Sequence, residues 1–126
     1  MKLIVALAFL CAASAFVSCG QAQAFDPWDK ADVSMHSVFT VLHTIDCLQT
    51  MKIARNADEY TEYNPILGRN PDQTEVVAYF AATWIAQTAL VHVLPSSWRP
   101  YAQAVMIAVP LGAVVNNFSV GLGFGF

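Results

Sequence analysis

The chain has 126 residues, of which 56% are hydrophobic and only 12% are charged. Soluble domains usually carry about 25% charged residues, so this composition, with a mean hydropathy of +0.48, argues against an ordinary soluble domain. The net charge is -3, and the six basic residues are scattered along the chain. They build no basic patch, so nucleic-acid binding is not expected.

The N-terminal segment, residues 1–24, resembles a secretory signal. Lys2 precedes an apolar run over residues 3–17, and the small-residue pattern Ala22-Gln23-Ala24 follows. The favoured interpretation is a signal peptide cleaved after Ala24. Two alternatives stay open: a lipoprotein signal that would be lipidated at Cys19, and an uncleaved signal-anchor helix.

The three cysteines do not indicate a set of structural disulfides. Two of the three cysteines, Cys11 and Cys19, fall in the N-terminal segment, and only Cys47 lies outside it. Removal of the N-terminal segment would therefore leave a single thiol.

The remaining residues, 25–126, are expected to form a single helical membrane domain. Residues 25–35 are polar and read as a short exposed segment, and an apolar stretch with a polar stripe follows. Two later runs carry no formal charge and approach the roughly 20 residues that span a hydrocarbon core. We expect an all-α membrane protein with three transmembrane helices after the signal or signal-anchor helix. They are predicted at about 36–54, 71–94 and 99–120.

Local signals predict where the second and third helices begin. Asn70 is a candidate N-cap, Pro71 fits the first helical position, and Gln73 would complete a capping box. Ser96 or Ser97 could cap the third helix.

The third helix carries a face of small residues. Ala104, Ala108, Gly112 and Asn116 follow one another at four-residue spacing. Such a face lets another helix approach closely in lipid, so Ala104, Ala108 and Gly112 are the expected contact with a membrane partner or a second copy of the chain. Pro110 should kink this helix, and the glycines of the tail "SVGLGFGF" predict a flexible, irregular end.

The basic residues favour one topology. With the N-terminus inside, more of them fall on the cytoplasmic side than outside, which fits the positive-inside bias. The cytoplasmic set is Lys2, Lys52, Arg55 and Arg69, against Lys30 and Arg99 outside. The chain is expected in the bacterial inner membrane with a cytoplasmic C-terminus.

The first predicted helix has a polar face centred on a carboxylate. Three- and four-residue steps align His36, Thr40, His43, Asp46 or Cys47, and Thr50, with Gln49 beside them. Because an ionisable group at membrane depth is costly, Asp46 should point into the protein. The candidate partners of Asp46 are His43, His92, Asn116 and Asn117.

The sequence "DCLQT" followed by "EYNPILG" resembles a group of small bacterial and phage multi-span membrane proteins of unknown function. The resemblance covers about residues 43–80, under a third of the chain. It implies the membrane architecture and marks a set of residues without assigning an activity. The matching positions are Asp46, Gln49, Thr50, Glu62, Asn64, Pro65, Leu67 and Gly68.

The marked loop also predicts a local structure. Asn64 can cap a short turn that starts at Pro65, and Gly68 can end it. Glu62 could accept hydrogen bonds from the N–H groups exposed there.

Three functional hypotheses remain, and a structural, interaction or assembly component of the membrane is favoured. Trp28, Trp84 and Trp98 would then anchor it at the interface. An intramembrane enzyme would use Asp46 and Glu62 as an acid–base pair beside His43. No nucleophile-elbow or zinc-protease motif accompanies that pair, so catalysis is the less favoured reading.

The third hypothesis is a metal or haem site. His43 and Asp46 are three residues apart and could share a metal, and His92 on another helix could join them or bind a haem with His43. A lone histidine on an apolar helix is more often a hydrogen-bonded core residue, so no cofactor is expected.

Overall fold

A computed structural model describes residues 26–124, and within that range the chain forms three α-helices. They are α1, Lys30–Arg55; α2, Gln73–Val93; and α3, Arg99–Ser119. Helix α1 packs against both others, most extensively against α3, whereas α2 and α3 contact each other little. Helix α1 is therefore the central element. The alternatives for residues 1–24, including lipidation at Cys19, lie outside the described residues.

Helix α1 begins earlier than the sequence predicted, at Lys30 rather than at residue 36. Asp29 caps it, because its Oδ1 accepts from the N–H of Asp32 at 2.8 Å. Asp32 returns the contact by accepting from the N–H of Asp29 at 3.2 Å. The acidic residues that suggested an exposed segment thus form a capping box, which satisfies N–H groups that the first helical turn leaves unpaired.

Helix α2 also begins at a capping box other than the predicted one. Asp72 is the N-cap, its Oδ1 accepts from Glu75 N at 2.8 Å, and Glu75 accepts from Asp72 N at 3.0 Å. The assignment of Asn70 and Gln73 to these roles was wrong. Carboxylates are stronger acceptors than amides, which favours the acidic pair two residues further along.

Helix α3 begins at the predicted residue, but the serines do not cap it. Trp98 occupies the N-cap position without a side-chain hydrogen bond, and Pro100 lies in the first turn, where a missing N–H costs nothing. Ser96 instead donates its backbone N–H to Asp26 Oδ2 at 3.1 Å. Pro110 is buried within the helix, which continues through it.

The tail after α3 is irregular, as predicted, but through Phe124 it is held against the bundle. Gly121 has a φ of +87° and donates to Phe118 O at 3.1 Å, while Leu122 donates to Asn117 O at 3.0 Å. These two bonds form a Schellman motif. Leu122 is only 1% exposed, so the predicted flexibility is wrong for residues 120–124.

Polar side chains share the interior of the bundle with apolar ones, and many large apolar side chains are exposed. Arg99 and Gln49 are fully buried and Gln103 is 1% exposed, whereas Val109 is 68% and Ile85 is 62% exposed. Helices α2 and α3 are long and apolar enough to cross a membrane. Helix α1 does not meet that criterion, because its polar stripe lowers its hydropathy. Two spans, rather than the three predicted, are therefore found among the described residues.

Candidate functional site

The polar stripe of α1 faces α2 along its first half. His36 Nε2 and Thr88 Oγ1 share a hydrogen bond of 3.2 Å, and Trp84 Nε1 donates to Thr40 Oγ1 at 3.1 Å. One turn further, His43 Nε2 donates to the carbonyl of Phe80 at 3.0 Å. These bonds join α1 to α2, and they place the stripe inside the bundle as the sequence predicted.

An ion pair closes one end of the bundle. Arg99 Nη1 lies 3.1 Å from Asp32 Oδ2, and the side chains are 0% and 7% exposed. Gln103 Nε2 donates to the other carboxylate oxygen at 3.1 Å. We call Asp32, Arg99 and Gln103 the ion-pair cluster.

Backbone carbonyls complete the coordination of the Arg99 guanidinium. Nε donates to Leu94 O at 2.9 Å, Nη1 to Pro27 O at 3.2 Å and Nη2 to Asp26 O at 2.6 Å. Each guanidinium nitrogen therefore has a protein acceptor. This arrangement fixes the chain before α1 and the connection between α2 and α3 to each other.

Sequence reasoning missed the ion-pair cluster, although one signal was present. Asp32 lies four residues before His36, so it extends the same polar stripe by one turn. Arg99 was assigned only to the outer side of the membrane, at the start of the predicted third helix. Its partner lies 67 residues away, and no local spacing connects the two.

A cavity occupies the other half of the bundle. It has a volume of about 410 Å³ and lies between the three helices and the loop of residues 61–66. This size falls within the range of sites for small molecules, roughly 300–1,000 Å³. We call it the Asp46 cavity. The polar residues that line it include His43, Asp46, Thr50, Glu62, Asn64, Thr83, Gln87, Asn116 and Asn117.

The loop beside the cavity has the turn that the sequence predicted. Asn64 Oδ1 accepts from Ile66 N at 2.9 Å, and Gly68 N donates to Asn64 O at 2.9 Å. Gly68 has a φ of +82°, a conformation that glycine adopts at little cost. Glu62 Oε1 accepts from Asn64 N at 2.7 Å. The turn therefore holds Glu62 and Asn64 against the cavity.

Asp46 has no protein partner for its carboxylate among residues 26–124. No hydrogen bond reaches it there, and the lining includes neither lysine nor arginine. Asp46 is close enough to Glu62 for their negative charges to repel. Of the predicted partners, His43, Asn116 and Asn117 line the same cavity, while His92 does not.

Two further polar groups in the cavity lack a partner. Thr50 is 2% exposed, and its hydroxyl makes no hydrogen bond to any described residue. Gln87 Oε1 is buried without a partner. Buried polar groups are nearly always hydrogen-bonded. Buried atoms without a partner also occur outside the cavity, at Trp28, His36 and Gln103. Asp46, Thr50 and Gln87 differ from these because all three line one space.

Lys52, the lysine or arginine nearest to Asp46 in sequence, bonds to the tail and not to Asp46. Lys52 Nζ donates to Leu122 O at 3.1 Å, and Gln49 Nε2 donates to Gly123 O. Asn117 Nδ2 donates to Gln49 Oε1 at 3.1 Å. The neighbours Gln49 and Thr50 therefore have different surroundings, since Gln49 ties α1 to the tail and Thr50 faces the cavity.

The residues weighed as metal ligands do not all meet. His43 and Asp46 share the cavity, but His92 lies exposed in the last turn of α2. In the described part of the chain no three histidine, cysteine or acidic residues are placed to hold a metal ion.

Comparisons with family models, with curated proteins and with solved structures give no match for this chain.

Proposed function

We propose that this chain is an integral protein of the bacterial inner membrane that serves as an assembly component, with α3 as its contact to another membrane helix. The observation that carries the proposal is the large number of exposed apolar side chains, together with the burial of several polar ones. Large apolar residues cover the outside of all three helices, and the best-buried side chains include arginine and glutamine.

This distribution suits lipid better than water. Soluble monomers rarely expose continuous apolar patches beyond a few hundred Å². In lipid, exposed valines and isoleucines carry no free-energy penalty, whereas polar groups must be hydrogen-bonded within the protein. The hydrogen bonds between α1 and its neighbours meet that demand, because they satisfy polar side chains that α1 could not expose to hydrocarbon.

Helix α3 has two opposite faces, and only one is covered. Its buried side follows a helical stripe, and each residue turns about 100° around the axis. Ala104, Ala108 and Gly112 lie roughly opposite that stripe, and all three are exposed. A side-chain carbon added at Gly112 would meet nothing within 4 Å. The buried stripe is Arg99, Gln103, Met106, Pro110 and Val114.

The proposed occupant of this open face is a second membrane helix. Small side chains let two backbones approach closely, which supports association in lipid without a hydrophobic driving force. The face belongs to the helix that anchors both the ion-pair cluster and the tail. Docking there would therefore engage the most constrained part of the bundle.

Membrane fractionation tests the first half of the proposal. The full chain should stay with membranes after an alkaline carbonate wash and be released by detergent. Release by carbonate alone would overturn membrane integration. A reporter fused after Phe126 should be active in the cytoplasm, and periplasmic activity would overturn the proposed topology.

A leucine substitution tests the assembly contact. Gly112→Leu should disrupt the complex that the chain forms in mild detergent, because the larger side chain holds the partner helix away. The matched control is Ala86→Leu at an exposed position of α2, which should leave the complex unchanged. A complex of the same size in Gly112→Leu and in the intact chain would contradict the assigned contact.

An intramembrane enzyme is the second candidate, because Asp46 and Glu62 line one cavity. A carboxylate pair of this kind can exchange a proton with a bound substrate. Under this candidate Asp46→Asn should leave membrane abundance intact and abolish the cellular effect of the protein. If Asp46→Asn instead lowers the amount of protein in the membrane but each remaining molecule keeps its cellular effect, the assembly role is favoured. A haem or metal role would instead require a Soret band or stoichiometric metal in the purified protein.

A further inference from the structure

We propose that the Asp46 cavity is a binding site for a primary ammonium group, carried by a small amine or by the headgroup of an aminophospholipid. The inference goes beyond the assembly role and does not depend on it, since the cavity lies within one copy of the chain.

The charge of the cavity selects a cation. Asp46 and Glu62 contribute carboxylates, and no lysine or arginine is among the lining residues. Lys52, the nearest basic residue along the helix, is bonded to the carbonyl of Leu122. An anionic ligand would be repelled by both carboxylates, whereas a cation would offset charges that the protein leaves unpaired.

The unpartnered polar groups set the number of hydrogen bonds that the ligand should make. Thr50 is 2% exposed and lines the cavity with its hydroxyl unpaired. Gln87 Oε1 and the Asp46 carboxylate are acceptors without donors. A primary ammonium has three N–H donors and no acceptor. It can therefore serve a carboxylate, a hydroxyl and an amide oxygen at once, which a quaternary ammonium cannot.

The apolar residues that line the cavity can contact the hydrocarbon part of an amine. Ile53, Phe80, Val109 and Pro110 contribute apolar surface to the cavity, and Tyr79 adds a second aromatic ring. Aromatic rings attract cations over their faces. A volume of about 410 Å³ also exceeds what a bare metal ion needs, and the described residues provide no metal-binding triad. The combination points to an organic cation.

The test uses the full-length protein in phosphatidylcholine nanodiscs and an amine-free buffer. Its thermal stability is measured against ethanolamine, with choline as the quaternary control. Separate nanodiscs in which phosphatidylethanolamine replaces phosphatidylcholine test the lipid source. We expect a saturable rise in melting temperature with the primary amine and none with choline. A rise only in phosphatidylethanolamine would assign the site to the lipid, and a rise with ethanolamine would assign it to a soluble amine.

Variants show whether the effect arises in the cavity. Thr50→Val keeps the shape of the side chain and removes the hydroxyl, and it should weaken binding about tenfold or more. Glu62→Gln should weaken it similarly by removing a charge. The matched control is Thr44→Val, an exposed threonine on the same helix, which should bind as the intact chain does.

Two results would overturn the proposal. One is the absence of a shift with ethanolamine and with phosphatidylethanolamine in the folded intact protein. The other is an equal shift in Thr50→Val, Glu62→Gln and the control. Neither result would affect the assembly contact, which is read from complex size.

Discussion

The ion-pair cluster and the Asp46 cavity place carboxylates along the same face of α1, but they surround them differently. Asp32 meets Arg99 and Gln103, and each guanidinium nitrogen of Arg99 has an acceptor. In the cavity, Asp46 has no hydrogen bond among the described residues and faces another carboxylate, that of Glu62.

The difference separates two reasons for burying charge. Leaving a charge unpaired in an apolar interior is costly, and the ion-pair cluster avoids that cost by fixing three segments of the chain to one another. In the Asp46 cavity, no described residue offsets the cost of burying the Asp46 charge. The paired charge of Asp32 thus holds the fold together, and the unpaired charge of Asp46 lies where we propose that a cation binds.

The largest expected effect comes from breaking the ion pair. Arg99→Met would leave Asp32 buried without its charged partner, which costs about 3–5 kcal/mol. We expect a large fall in melting temperature and in membrane abundance. The control is Arg69→Met in the exposed connection between α1 and α2, which should stay near the intact chain. Equal stability of the two variants would contradict the architectural role of Arg99.

A smaller loss is expected where the tail meets α1. Gln49→Leu removes the donor to Gly123 and the acceptor of Asn117, leaving two partly buried groups unsatisfied. The free energy of unfolding should fall by about 2 kcal/mol. The adjacent Thr50→Val should change it by less than about 1 kcal/mol, because that hydroxyl has no protein partner to lose. A larger loss for Thr50→Val, measured by thermal unfolding in detergent, would reverse this assignment.

Replacing each of two glycines by alanine should change the free energy of unfolding in opposite directions. Gly121 has a φ of +87° and ends α3, so Gly121→Ala should destabilise the protein by roughly 1–2 kcal/mol. Gly112 lies inside α3 with open space around it, so Gly112→Ala should stabilise it by roughly 0.5–1 kcal/mol. Thermal unfolding of both variants checks the pair, and equal signs would show that the Schellman motif does not hold the tail.

The smallest expected change in stability is at Asp46. Asp46→Asn removes a charge without a protein partner and reduces its repulsion with Glu62, so the free energy of unfolding should not fall and should rise slightly. A loss comparable to that of Arg99→Met would mean that Asp46 is an architectural tie, and the contrast between the two clusters would then be lost.

Local patterns predicted much of this structure. Apolar runs gave the approximate positions of the helices, three- and four-residue steps gave the polar stripe, and "EYNPILG" gave the turn that carries Glu62 and Asn64. These features depend on neighbouring residues, so the sequence contains them directly. The shift of the α2 cap from Asn70 to Asp72 shows the limit, because two adjacent capping patterns competed and their spacing did not decide between them.

Features that depend on distant partners could not be predicted in the same way. Asp32 and Arg99 are 67 residues apart, and their contact follows from how α1 packs on α3. The ordered tail could not be predicted for the same reason. Its glycines indicated flexibility, and its contacts with Gln49 and Lys52 form only in the folded bundle. Unpaired groups such as Thr50 are equally invisible, because a pattern of spacing does not show which hydroxyls find partners.

The contacts between α1 and the tail also impose an order on biogenesis. Lys52 and Gln49 bond to residues 70 and 74 positions further along the chain. When α1 leaves the ribosome, their acceptors have not yet been synthesised, and they stay so until α2 and α3 have both been made. A nascent chain stopped at Ser119 would contain all three described helices and still lack these contacts. The contacts between α1 and the tail are therefore the last of these contacts to form.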